Sequence, residues 1–175
     1  MNADGRILIA DDEDGLRWVL EKGFRSAGYQ VTAVKDGTAA LREVDAGPFD
    51  LILALGVLPR APEPGPALDV VRGLLAPGGT LVAALPPILD GQSLELHRAR
   101  PGEPSSLYLW DWESELADRF PRVRLFRHLP PEGRLPDLAN PGPATLDAAD
   151  YCFEEIPRAE IYDVGSLTAL FVCEP

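Results

Sequence analysis

Apolar runs alternating with amphipathic stretches organise the first half of the chain. Arg6-Ile-Leu-Ile-Ala10 is short, wholly apolar after its first residue and followed by an acidic turn, the pattern of a strand covered on both faces. Leu16 to Ala27 sets Leu16, Val19, Leu20, Gly23 and Phe24 on one helical stripe, with Asp14 as N-cap and Gly28 where a C-cap glycine belongs. Gln30 to Val34, rich in β-branched residues, predicts a second strand. Asp36-Gly37 turns the chain into a helix from Thr38 to about Asp45, and Leu51 to Leu55 is a third apolar strand. Past a proline cluster, Ala67 to Leu75 carries Leu68, Val71, Leu74 and Leu75 on one face. Pro77-Gly78-Gly79 then turns directly into a fourth strand, Thr80 to Leu85.

The second half is looser. Ser93 to Ala99 alternates as a short strand or arm would, and Asp111 to Phe120 fits a helix with Leu116 and Phe120 inward. Val123 to Phe126 reads as a strand, Pro130 to Pro143 as a Pro/Gly loop, and Ser166 to Cys173 as a strong final strand. Strands separated by helices require right-handed crossovers. The expected fold is a three-layer α/β, doubly wound, mainly parallel sheet of Rossmann-like or flavodoxin-like type, with an antiparallel C-terminal strand. Residues 1–175 are expected to form one domain.

Charge narrows the function classes. Across 175 residues, 28 acids against 16 bases leave a formal charge of −12, the wrong sign for nucleic acid or an anionic membrane surface. No apolar stretch approaches the roughly 20 residues of a bilayer span, and the N-terminus lacks a basic flank and apolar signal core, so a cytoplasmic location is expected. Cys152 and Cys173 show no metal or disulfide spacing. Of the 18 prolines only Pro48 precedes Phe49, an unevenness that marks two sequence styles.

Residues 6–53 carry Ile7-Leu-Ile-Ala-Asp11-Asp12-Glu13, Leu16-Arg-Trp-Val-Leu-Glu21, Ser26-Ala-Gly-Tyr29, Asp36-Gly37 with Ala40-Leu41, and Pro48-Phe-Asp-Leu-Ile-Leu53. This set resembles a bacterial response-regulator receiver domain. The resemblance implies Mg²⁺ at Asp11 and Asp12, because a hard cation neutralises the incoming phosphate there. The phospho-acceptor position of that family falls on Leu55, and the only lysines are Lys22 and Lys35, so nothing later in the chain supplies the family's Lys. Phosphotransfer at the usual place is therefore not expected.

From Phe49 onward, Phe49-Asp-Leu-Ile-Leu-Ala-Leu-Gly-Val-Leu58 and Val71-Arg-Gly-Leu-Leu-Ala-Pro-Gly-Gly-Thr-Leu-Val82 resemble the C-terminal half of a class I S-adenosylmethionine-dependent methyltransferase. That resemblance implies S-adenosylmethionine as cofactor, bordered by Gly15, Asp36, Leu55 and Gly56, with Asp36 accepting the ribose hydroxyls. It also implies a terminal antiparallel pair with the last strand inserted, giving the order second, first, third, fourth, then the hairpin. Three departures stand out. The family's Gly-rich cofactor loop is replaced by Ala10-Asp-Asp-Glu-Asp-Gly15, the family's third strand is missing between Gly37 and Pro48, and Pro59-Arg60 stands where small-molecule members often carry Glu-His.

Both patterns share Phe49 to Leu53, so a chimera with receiver-like 1–53 and methyltransferase-like 49–175 is expected. The acidic turn Asp11 to Asp14 reads either as a weak divalent-cation site or as a solvated turn. His97 and His128 have no nucleophile partner at a recognisable spacing. Tyr108, Trp110, Trp112, Tyr151 and Phe153 would line a pocket or cover a core edge, and Arg60 would hold an anion or stay at the surface. The leading expectation is a hybrid without efficient catalysis that binds a protein partner or small molecule. The alternatives are a methyltransferase with an atypical cofactor loop and a receiver that works without phosphorylation.

Overall fold

The computed structural model describes residues 5–43, 47–98, 107–129, 152–164 and 168–175. Its strands are β1 (Arg6–Asp11), β2 (Gln30–Val34), β3 (Phe49–Leu55), β4 (Leu75–Leu85), β5 (Arg122–Leu129), β6 (Cys152–Ile156) and β7 (Ala169–Glu174). They form a seven-stranded sheet in the order β2-β1-β3-β4-β7-β5-β6. The first four are parallel neighbours, β7 is antiparallel to both β4 and β5, and β6 is antiparallel to β5. Five of the seven strands therefore run in one direction. The expected order is observed, including the inserted antiparallel last strand; β6 is an additional edge strand. Its sequence, Cys-Phe-Glu-Glu-Ile, carries too little apolar alternation to announce it.

Consecutive apolar residues in β1 and β3 bury both faces of the sheet, because neighbours on a strand point to opposite sides. Leu8, Ala10, Ile52 and Ala54 join one cluster, and Ile7, Ile9, Leu51 and Leu53 the other. The first face is covered by α2 (Gly37–Arg42), α3 (Pro64–Leu74) and α5 (Leu109–Ala117). The second takes α1 (Asp14–Ser26) through Leu20 and Phe24. The result is three layers. No described helix is long and apolar enough to cross a membrane.

Several local expectations change. Leu16 and Val19 were expected on the buried stripe of α1, yet they are 41% and 56% exposed. The helix is rotated so that the i,i+4 pair Leu20 and Phe24 packs on the cluster of Ile7, Ile9, Val31, Leu51 and Leu53, which leaves Leu16 and Val19 exposed. Asp14 is not the N-cap. Glu13 precedes the helix without a side-chain cap, and Asp14 instead pairs with Arg17 one turn on. Gly28, at φ 91°, ends the helix as expected, since only glycine adopts that backbone without strain.

Residues 91–98 form a helix, α4 (Gly91–Arg98), rather than a strand or arm. The reason is a capping box: the Ser93 backbone N–H donates to Asp90 Oδ1 at 2.7 Å, and the Asp90 N–H donates back to Ser93 Oγ at 3.0 Å. The Ser93 N–H and the Ser93 hydroxyl, both donating to Asp90 Oδ1, hold its carboxyl below the usual range. The expected turn at Pro77-Gly78-Gly79 is carried inside β4, where pairing with β3 shifts between Phe49 and Leu51. The end of α2 near Asp45, the Pro130 to Pro143 loop, Tyr151, the His97 and Cys152 side chains and the start of the final strand at 166–167 lie outside the described residues.

Cys173 is fully buried in β7, and burial pushes its thiol up to about 12. In a Cys152→Ser background, a disulfide-exchange reagent at pH 8 is expected to find no reactive thiol until denaturant is added. Rapid reaction of the native protein would contradict this packing.

Candidate functional site

The C-terminal ends of β1, β2 and β3 converge on one edge of the sheet, where open α/β folds bind ligands. Asp11 closes β1 and pairs in register with Leu55 of β3. The residue is only 3% exposed, and its Oδ1 accepts the Glu13 backbone N–H at 2.7 Å. The Asp11 carbonyl accepts from Arg17. Across the gap, Arg60 follows β3 in a short 3-10 turn, Leu58–Arg60, and its guanidinium pairs with Asp12 Oδ2 at 2.5 Å. The acidic turn is thus folded onto its own backbone and tied to the β3 turn. Among the described residues no group of three or more His, Cys, Asp or Glu is placed to hold a metal ion.

Burial raises the Asp11 pKa, helped by the nearby Asp12 and Glu13 charges and opposed by the Glu13 N–H and Arg17. A raised folded-state pKa means that this group's contribution to stability is present at low pH and lost as pH rises through it. Asp11→Asn, which can still accept the Glu13 N–H, is therefore expected to raise the thermal midpoint at pH 7 in the presence of a chelator. The gain should vanish as pH falls below the ordinary carboxylate range. A uniform loss at every pH would show that the charge itself stabilises the turn.

Beneath this rim, on the α2/α3 face, lies an apolar cavity of about 570 Å³. Leu8, Ala10, Ile52 and Ala54 form its floor, and it extends between α2 and α3. Polar groups are few: Asp36, Thr38, Arg60 and Glu63. Asp36, which follows β2, is half-buried and caps α2, with Oδ1 accepting the Ala39 N–H at 2.7 Å. Its second oxygen has no partner among the described residues.

The structure gathers some of the expected site residues and separates others. Asp36 and Arg60 line the cavity, whereas Asp11 does not: it alternates with Ala10 along β1 and shares the face of its register partner Leu55. Leu55 packs into the α1 face, on the opposite side of the sheet. Gly56 lies beside the Asp12 carboxylate, outside the cavity lining, and Gly15 is inside the first turn of α1 with room for a Cβ. The described aromatic residues of that set, Tyr108, Trp110, Trp112 and Phe153, do not border the cavity. Trp112 is core, Tyr108 stacks on Trp110 at 4.4 Å, Trp110 meets Tyr162, and Phe153 lies against His128 on the β5–β6 ribbon. Unforeseen were Val57, Leu58 and Val70 in the cavity wall. The apolar pair straight after a strand end was the available signal.

No family model matches the chain. A response regulator receiver protein CpdR of Brucella abortus is 39% identical over 54 residues, which is 31% of this chain and 45% of that protein. A DNA-binding transcriptional regulator NtrC of Bradyrhizobium is 30% identical over 92 residues, 47% of this chain and 19% of that one. The chain thus spans less than half the length of either curated relative. In fold it is similar along nearly its whole length to methyltransferases. A SAM-dependent methyltransferase of Thermotoga maritima aligns with TM-score 0.61 at 12% identity, covering 98% of this chain and 82% of that one. One from Archaeoglobus fulgidus aligns at 0.58 and 13%, covering 98% and 86%. The methyltransferase fold therefore includes the receiver-like N-terminal part.

Proposed function

We propose that the chain is a methyltransferase-fold domain that binds an adenosyl ligand of the S-adenosylmethionine type, with an atypical cofactor loop. The observation that carries this reading is the half-buried Asp36 carboxylate at the rim of an apolar cavity, at the strand ends where this fold takes ligands. The nucleoside half fits: Asp36 has one oxygen left to accept ribose hydroxyls, and the cavity offers an apolar bed for a flat base. The methionine half does not fit. The N-terminus of α1, a natural anion site, is already supplied with carboxylates by Asp11 to Asp14, and the Glu13 N–H is taken by Asp11. Among the described residues no histidine lines the cavity, and we derive no transfer step.

Adenosyl ligands should stabilise the protein. A ligand at 100 times its dissociation constant adds about 2.7 kcal/mol. At this chain length that amounts to a rise of roughly 5–10 °C in the thermal midpoint. Asp36→Asn, which can keep the cap on α2, should remove most of the ligand-dependent rise while leaving the unliganded midpoint near its starting value. Absence of any shift with every adenosyl compound at millimolar concentration would reject the reading.

A second reading, a receiver that works by protein contact without phosphorylation, is favoured by α1. Leu16, Trp18 and Val19 are all exposed there, with the Lys22 ammonium 4.1 Å above the Trp18 ring. It predicts an amide spectrum unchanged by acetyl phosphate, since Leu55 stands at the acceptor position. New shifts around Leu55 would overturn it.

A further inference from the structure

The cavity on the α2/α3 face is a groove with a direction. Along α3 it is lined by Glu63, Pro66, Ala67, Val70, Val71 and Leu74, which recur at the three- and four-residue spacing of one helical stripe. From Pro66 to Leu74 that stripe covers about 12 Å, at about 1.5 Å per residue. Its start follows the C-terminal end of β3. Its end lies at the other end of the sheet, because Leu75 pairs with Phe49, the first residue of β3. The groove therefore runs from the strand ends down the length of the helix.

Polarity changes along it. All four polar lining residues stand at the mouth: Asp36 follows β2, Thr38 is in the first turn of α2, and Arg60 and Glu63 follow β3. There the floor is the register pair Ala10 and Ala54, whose small side chains leave room for a flat ring. Deeper, the floor is the pair Leu8 and Ile52, and the α3 wall is Val71 and Leu74. No polar side chain lines this deep part, and its backbone groups are spent on sheet and helix. Leu41 of α2 and Val70 of α3 line the groove and are exposed, so apolar wall stands open to water.

A nucleoside that gives its ribose hydroxyls to Asp36 lays its base over Ala10 and Ala54. The exocyclic amine of adenine, remote from the glycosyl bond, then points down the groove. A primary amine there gives up water and finds no acceptor, which is costly. An alkyl substituent removes one of those N–H groups and covers the apolar wall.

We propose, resting on the adenosyl reading above, that the site takes adenine nucleosides whose exocyclic amine carries an apolar chain, with the base at the mouth and the chain along α3. Titration calorimetry on the intact chain, with adenosine and its N6-alkyl derivatives from methyl through hexyl to dodecyl, tests this. Affinity is expected to rise about two- to fourfold per methylene up to hexyl, the range for partial to full burial. It should level off before dodecyl, which at about 1.2 Å per bond outruns the groove. Val71→Phe, which fills the deep half, should flatten the rise; the series on the unaltered chain decides the matter if that variant does not fold. Binding of adenosine with no gain from the chain overturns the proposal and leaves the adenosyl reading standing. A rise that continues through dodecyl, or that survives Val71→Phe, places the chain outside the groove and overturns the proposal as well. Failure of every member to bind overturns the adenosyl reading itself, and the proposal with it.

Discussion

Phe171→Ala is expected to cost about 3–5 kcal/mol, the usual range for emptying a fully buried aromatic site. Phe171 is in the middle of β7, 0% exposed, paired with Ala83 on β4 and Leu125 on β5. Its ring lies on the cluster that α3 and α5 cover, beside a residue with only a methyl group. Ala83 cannot grow to fill the space, so the cavity stays. β7 is also the strand that hydrogen-bonds β4 on one side and β5 on the other, joining the parallel strands to the β5–β6 ribbon within the sheet. Urea denaturation should show the loss, and the thermal midpoint should fall by roughly 6–20 °C. Leu170→Ala, one residue away on the half-buried opposite face, should cost clearly less. Equal losses at the two positions would mean that the ring is not the keystone of this layer.

Gly79→Ala is expected to destabilise by about 1–3 kcal/mol, although it adds a single methyl group. A Cβ at Gly79 would meet the Phe49 carbonyl oxygen at 2.8 Å and the Ala76 oxygen and nitrogen at 3.0 and 3.2 Å. All three are backbone atoms, so relief requires moving β3 against β4 at the point where their register shifts. Gly78→Ala fails for a different reason. Its surroundings are open, but φ is 84°, which costs an L-residue about 1–2 kcal/mol. Gly73→Ala, near the end of α3 with nothing within 4 Å, should instead stabilise by up to about 1 kcal/mol. Three glycines within seven residues thus predict two losses and one gain. Equilibrium unfolding of the three variants checks the signs, and a loss at Gly73 would upset the assignment of α3.

The strands with unbroken apolar runs were readable because burial on both faces leaves no alternation to confuse. β1, β3 and the core of β4 are such cases. Residues 91–98 were misread because Ser93 to Ala99 alternates by accident while the Asp90–Ser93 box, present in the sequence, sets a helix. The orientation of α1 was misread for another reason. Leu16, Val19, Leu20 and Phe24 all lie on one broad stripe, and only the position of the β1–β3 cluster beneath it decides which half is buried. At the site, Asp36 was legible from its place after a strand. The cavity wall of Val57, Leu58 and Val70 was not, since it depends on how far apart α2 and α3 stand.

Local sequence by itself determined the α/β alternation, the parallel core, the leucine at position 55, the lack of any lysine after Lys35, and the acidic turn after β1. Each is a property of short segments, where hydrophobic period and residue chemistry act directly. Tertiary structure alone decided that Arg60 closes on Asp12, that Leu55 faces away from the cavity, and that the cavity exists at all. Those depend on residues from distant segments meeting at one sheet edge. Helix length and strand register set such distances, and neither is written in any single segment.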